Sequence, residues 1–148
     1  MGEYGMFKRP FKMVLIDDEP EIVEILSECI KDMFPSTFDI AVFSDPEAAL
    51  KYIENEGVTV VVTDVSMPKI NGDHVNLKVK QMGVGIQTII LTGNQNMSTA
   101  MTCFRDGANG YIQKPFDMEE VQDSIQAVLN SLLSWEKVFA ANTKKKAS

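Results

Sequence analysis

Val58-Thr59-Val60-Val61-Val62-Thr63-Asp64 is the stretch on which the fold turns. Every residue from 58 to 63 is β-branched, so its side chain is stiff at χ1 and fits a pleated strand better than a helix. The run is apolar throughout rather than alternating, which implies burial on both faces, as in a parallel sheet covered by helices. It ends abruptly at a carboxylate, Asp64. A turn rich in breakers, Met67-Pro68-Lys69-Ile70-Asn71-Gly72, follows it.

Working outward, the same grammar repeats. Met13-Val14-Leu15-Ile16 is a short buried strand that stops at Asp17-Asp18-Glu19. Pro20 suits a first helical turn, and Ile22, Ile25, Leu26, Cys29 and Met33 recur at helical spacing over 20–33. Residues 38–43 read as a second strand. Ser44 or Asp45 caps, and Pro46 opens, a helix to about Asn55 that Gly57 ends. A third helix covers about 73–82, its start clearer than its amphipathic pattern. Gln87-Thr88-Ile89-Ile90-Leu91 is a fourth strand ending at Thr92-Gly93. A fourth helix over about 96–106 precedes Gly107, and Gly110-Tyr111-Ile112 is a short fifth strand before Lys114-Pro115-Phe116. Asp117 and Glu120 form a capping-box-like start to a fifth helix. Val121, Ile125, Val128, Leu129 and Leu132 line one face of it, and the pattern runs on through Trp135, Val138 and Phe139.

Five strands alternating with five helices imply an α/β fold, a doubly wound parallel sheet joined by right-handed crossovers. The order 2-1-3-4-5, the flavodoxin-like (βα)5 sandwich, puts a ligand site at the carboxyl ends of strands one and three. We expect an N-terminal extension over 1–11 and one domain over 12–132. A C-terminal helical extension and a disordered basic tail from Thr143 complete 133–148.

The 148 residues suit one such domain, and a formal net charge of -7 gives no global attraction to nucleic acid or an anionic membrane. Two cysteines, Cys29 and Cys103, fall far apart in expected helices and read as free thiols of a reducing compartment. No apolar stretch reaches the roughly 18 to 20 residues of a membrane span. Residues 1–10 lack the apolar core of a secretory signal. The expected location is the cytoplasm.

The strand ends are chemically specific. Asp17, Asp18, Asp64, Thr92 and Lys114 all close strands on one edge of a parallel sheet, which gathers three carboxylates, a hydroxyl and an ammonium. Crowded carboxylates repel unless a cation sits among them, and hard oxygen donors suit Mg2+. Asp64 is then the nucleophile for an acyl phosphate. Lys114 pairs with one phosphoryl oxygen, and Thr92 donates to another.

With these motifs in order, the chain resembles response-regulator receiver domains, the phosphoacceptors of two-component signalling. The resemblance rests on Val14-Leu15-Ile16-Asp17-Asp18-Glu19-Pro20, on the stretch from Val62 through Asp64 to Gly72, on Ile90-Leu91-Thr92-Gly93, and on Tyr111-Ile112-Gln113-Lys114-Pro115-Phe116. It implies phosphorylation of Asp64 by a sensor histidine kinase or a histidine phosphotransfer protein. It implies Mg2+ held by Asp17, Asp18, Asp64 and the backbone carbonyl of Ser66, with Asp18 the more direct ligand. It makes Thr92 and Tyr111 switch residues and the Lys114-Pro115 bond cis. Ser66 and Asn94, beside the site, would tune the phosphate lifetime. A downstream effector, or a dimer through the face of helix four, strand five and helix five, would read the switch, with no direct contact to nucleic acid or membrane.

Plainer roles stand beside these. Taken singly, Asp17 and Asp18 could be helix caps, Thr92 a cap and Lys114 a solvated charge; their shared edge favours the site. Glu19 reads as a first-turn helix acid. An aspartyl phosphatase would want a second acid two residues past Asp64, where Ser66 stands. A flavin-binding relative would need a glycine- and hydroxyl-rich loop in place of Asp17-Asp18-Glu19. A binding module working without phosphate would become attractive only if key residues were missing.

Overall fold

The computed structural model describes residues 7–65, 72–82, 85–93 and 97–147. Five parallel strands form one sheet in the order 2-1-3-4-5. They are β1 (Phe11–Ile16), β2 (Phe38–Phe43), β3 (Val60–Asp64), β4 (Gln87–Thr92) and β5 (Gly110–Gln113). Five helices alternate with them: α1 (Pro20–Met33), α2 (Pro46–Asn55), α3 (Gly72–Gln81), α4 (Met97–Arg105) and α5 (Met118–Ala147).

The alternation of side chains along each strand sorts the core into two layers. Phe11, Met13 and Leu15 of β1, with Val60 and Val62 of β3, face α1 and α5, where Leu26, Ile30, Val121, Ile125 and Val128 meet them. Val14, Ile16 and Val61 face the other way, onto Ile53 of α2 and Val75 and Val79 of α3. All five residues of β3 are buried, as the unbroken β-branched run requires. Val58 and Thr59 precede the strand proper. Thr59 N–H nevertheless donates to Lys12 O at 2.9 Å and its carbonyl accepts from Gln87 N–H at 2.8 Å, so the ladder begins one residue before the strand proper.

Local signals hold at the helix ends. Asp45 Oδ1 accepts from Glu47 N–H at 3.1 Å with Pro46 in the first turn. Asp117 Oδ1 accepts from Glu120 N–H at 2.8 Å. Gly57 and Gly107 take positive φ at the exits of α2 and α4. Both cysteines are free.

α5 is 30 residues long, and its backbone stays helical to Ala147, past the point at Thr143 where a disordered tail was expected. Its distal half is held by the segment before β1. Arg9 forks onto Glu136 through two 2.8 Å hydrogen bonds and stacks over Phe11 at 4.2 Å. The Phe7 and Phe139 rings lie 5.7 Å apart. No helix among the described residues is long and apolar enough to cross a membrane.

Leu15, fully buried at the centre of the sheet, and Val42, 45% exposed near its edge, should respond differently to truncation. Leu15→Ala should cost about 2–5 kcal/mol in urea unfolding, and Val42→Ala no more than about 0.5 kcal/mol. Comparable losses would contradict the placement of the core.

Candidate functional site

Strand register builds the site. Ile16 of β1 pairs with Thr63 of β3, and Asp64 of β3 with Leu91 of β4. The next residues on the carboxyl edge are therefore Asp17 beside Asp64, with Thr92 one step on. The ladder continues past the strand ends: Asp17 N–H donates to Phe43 O at 3.1 Å, Val65 N–H to Leu91 O at 3.1 Å, and Lys114 N–H to Thr92 O at 2.7 Å. These bonds fix the backbone under each polar side chain, and the Lys114-Pro115 bond that turns the chain away is cis, as expected.

Lys114 joins the acids. Its Nζ donates to Asp17 Oδ2 at 2.7 Å and lies 3.3 Å from Asp64 Oδ1. Asp17 has no exposed surface, and its other oxygen, Oδ1, accepts from Glu19 N–H at 3.0 Å. Asp64 is 5% exposed. Burial alone would pull the Lys114 ammonium down, but the hydrogen bond to Asp17 and the charges of Asp64 and Asp17 outweigh it. The group titrates above the ordinary lysine value. Thr92 is fully buried, and its hydroxyl donates to Gly93 O at 3.0 Å.

The acid block is wider than the sequence reading made it. One carboxylate oxygen each from Asp17, Asp18 and Glu19 lie within 4.8 Å of one another. Glu19 is not a first-turn residue but the N-cap of α1, without a side-chain cap bond, which leaves its carboxylate free to join the pair. Three consecutive acids were the signal for it. An all-oxygen, carboxylate donor set around one crevice fits a hard divalent cation such as Mg2+.

Tyr111 lies on β5, 44% exposed, and lines a cleft together with Met97, Met101 and Phe104. Asp17, Asp18, Asp64, Thr92 and Lys114 thus come together on one edge, while Tyr111 lines a neighbouring cleft on the α4 side. Ser66 and Asn94 lie outside the described residues.

Comparison with known proteins agrees with this geometry. The family model "Response regulator receiver domain" matches residues 13–126. The heme response regulator HssR of Staphylococcus saprophyticus is 32% identical over 116 residues, covering 78% of this chain and 50% of that protein. The alkaline phosphatase synthesis transcriptional regulatory protein PhoP of Bacillus subtilis is 31% identical over 118 residues, covering 80% and 48%. The chain therefore spans about half the length of these curated relatives. A solved response regulator receiver domain from Clostridium thermocellum superposes with a TM-score of 0.73 at 27% identity, covering 87% of this chain and 98% of that one.

Removing the bridging ammonium tests the electrostatics directly. Lys114→Met leaves Asp17 and Asp64 facing each other and should cost about 1–3 kcal/mol at neutral pH in chelated buffer, read by urea unfolding. Because the folded pKa of Lys114 is raised, its contribution is complete below the ordinary lysine pKa and fades only as pH climbs through the raised value. Wild-type stability should therefore show no loss from this group between neutrality and about pH 9. Unchanged stability in Lys114→Met would show that the ammonium does not hold the acids together.

Proposed function

The chain belongs to the response-regulator receiver family, a phosphoacceptor signalling module rather than an enzyme turning over an external substrate, and from that premise we propose that Asp64 is its phosphoacceptor. The observation that carries this is the position of Lys114, 2.7 Å from Asp17 and 3.3 Å from Asp64 in a buried crevice at the carboxyl edge. A cation poised between a buried acid and the acid at the end of the central strand is the arrangement that phosphoryl transfer to a carboxylate needs.

The donor is a phosphohistidine on a partner kinase or phosphotransfer protein. An oxygen of Asp64 attacks phosphorus, an O–P bond forms, the P–N bond breaks, and the imidazole leaves. Asp17, Asp18, Asp64 and the Ser66 carbonyl would hold Mg2+, which when bound offsets the charge of the transferring oxygens. Lys114 shifts from Asp17 to a phosphoryl oxygen as a point charge. The Thr92 hydroxyl, now on Gly93 O, turns to donate to a second oxygen. That movement vacates space for Tyr111, half exposed on β5, to turn inward. Ser66 and Asn94 tune the lifetime of the acyl phosphate. A phosphohistidine made from ATP places this exchange in the cytoplasm.

The reader of the switch docks on α4, β5 and α5. Met97, Met101, Phe104, Tyr111 and Met118 are all exposed there, beside a cleft of about 350 Å³. Such an apolar patch suits an effector or a second receiver. The functional unit is residues 12–132, flanked by the extensions 1–11 and 133–148.

Incubation with Mg2+ and acetyl phosphate should give one acid-labile phosphoryl adduct by intact mass. The adduct should be lost in Asp64→Asn and formed at least about tenfold more slowly after chelation of the metal. An adduct undiminished in Asp64→Asn would overturn the assignment.

A further inference from the structure

α4 is attached to the domain unevenly. Of its nine residues only Cys103, near the C-terminal end, is buried. Met97, Met101 and Phe104 are 46%, 48% and 70% exposed, and the helix overlies the apolar cleft along much of its length.

The C-terminal end is different. Ala108 N–H donates to Cys103 O at 2.9 Å and Gly107 N–H to Phe104 O at 3.1 Å, a closed helix end with Gly107 at positive φ. The same Cys103 carbonyl accepts from Asn76 Nδ2 of α3 at 3.2 Å. Asn76 Oδ1 in turn accepts from the Thr88 hydroxyl of β4 at 2.6 Å. Lys80, one turn on from Asn76, runs its stem beside Gly107 and donates to Ile86 O at 2.8 Å and Asn109 Oδ1 at 2.6 Å. Asn109 Oδ1 also accepts from Thr88 N–H at 2.9 Å, and Asn109 N–H donates to Thr88 O at 2.8 Å.

Asn76 has no exposed surface and stands between Val75 and Val79 on the buried side of α3. An apolar residue would fill that place without desolvating an amide, so the hydrogen bonds of Asn76 mainly offset their own cost. What they add is a fixed geometry between α3, β4 and the end of α4. The Asn76 to Cys103 hydrogen bond thus reaches α4 directly from another element.

We propose that Asn76, Thr88, Lys80 and Asn109 form a pivot that fixes the C-terminal end of α4, so that the helix moves at its N-terminal end alone. Displacement of Thr92 and Gly93 at the site is taken up at the N-terminal end of α4, away from these bonds, and the exposed Met97 and Met101 move with it. The link to phosphorylation rests on the reading of Asp64 given above. The pivot itself does not.

Hydrogen exchange resolves the two ends. The variant Asn76→Leu with Thr88→Val replaces both partners by apolar groups of similar size, which preserves folding. Lys80→Met cuts the second arm of the seam and serves if the double variant is unstable. Without any phosphoryl mimic, amides 105–108 should exchange about tenfold faster in either variant than in wild type, with 97–101 unchanged. In wild type, beryllofluoride with Mg2+ should alter exchange at 97–101 and leave 105–108 as they were; in the variants the change should spread to both. Unchanged exchange at 105–108 in folded variants would overturn the pivot, as would a beryllofluoride response in wild type as large at 105–108 as at 97–101. A wild type indifferent to beryllofluoride would count against the phosphoacceptor reading, while the variant comparison still decides the pivot.

Discussion

The ammonium of Lys114 between Asp17 and Asp64 is the interaction on which the site depends. Two nearly inaccessible carboxylates face one another across neighbouring strands, with Asp18 and Glu19 adding charge from the rim. Such a cluster is costly unless a cation compensates it. Lys114 supplies that cation from just past the end of β5, two strands from β3 and three from β1, where its backbone N–H is held by Thr92 O. The same attraction makes the site responsive, since any new anion or divalent cation must renegotiate how Lys114 divides itself between the two acids.

The sheet makes this juxtaposition rigid. Parallel pairing of β1 with β3 and β3 with β4 leaves no freedom in which residues end side by side. Both faces of β3 are sealed by helices. The buried acids Asp17 and Asp64 gather at the carboxyl ends of the strands, and α4, with Cys103 as its single buried residue, sits beside the cleft lined by Met97, Met101, Phe104 and Tyr111. Rigid acids beside a loosely seated helix are a sensible division for a switch: the chemistry needs fixed geometry and the output needs a movable surface.

Much of this was legible in the chain. The β-branched run before Asp64, the prolines opening α1 and α2 and the glycines after α2 and α4 are local signals, and they place the elements to within a residue or two. The edge follows from topology, so Asp17, Asp64, Thr92 and Lys114 could be grouped before any distance was known. Other features were hidden for physical reasons. Glu19 joins the acids only because Asp17 Oδ1 holds its N–H and shapes the turn. The fork of Arg9 on Glu136 links residues 127 apart in sequence, with no periodic trace. The weak amphipathic pattern of α3 has its cause in Asn76, a polar residue in a core position, which is visible as meaningful only once Thr88 and Cys103 are seen beside it.

The most direct measurement is chemical trapping of the acyl phosphate. The protein is exposed to Mg2+ and a phosphodonor, reduced with borohydride, which converts a phosphorylated aspartate to homoserine, and mapped by peptide mass spectrometry. Homoserine is expected at position 64 alone. Homoserine at position 17 or 18 instead, or none in a protein shown to be folded, would contradict it.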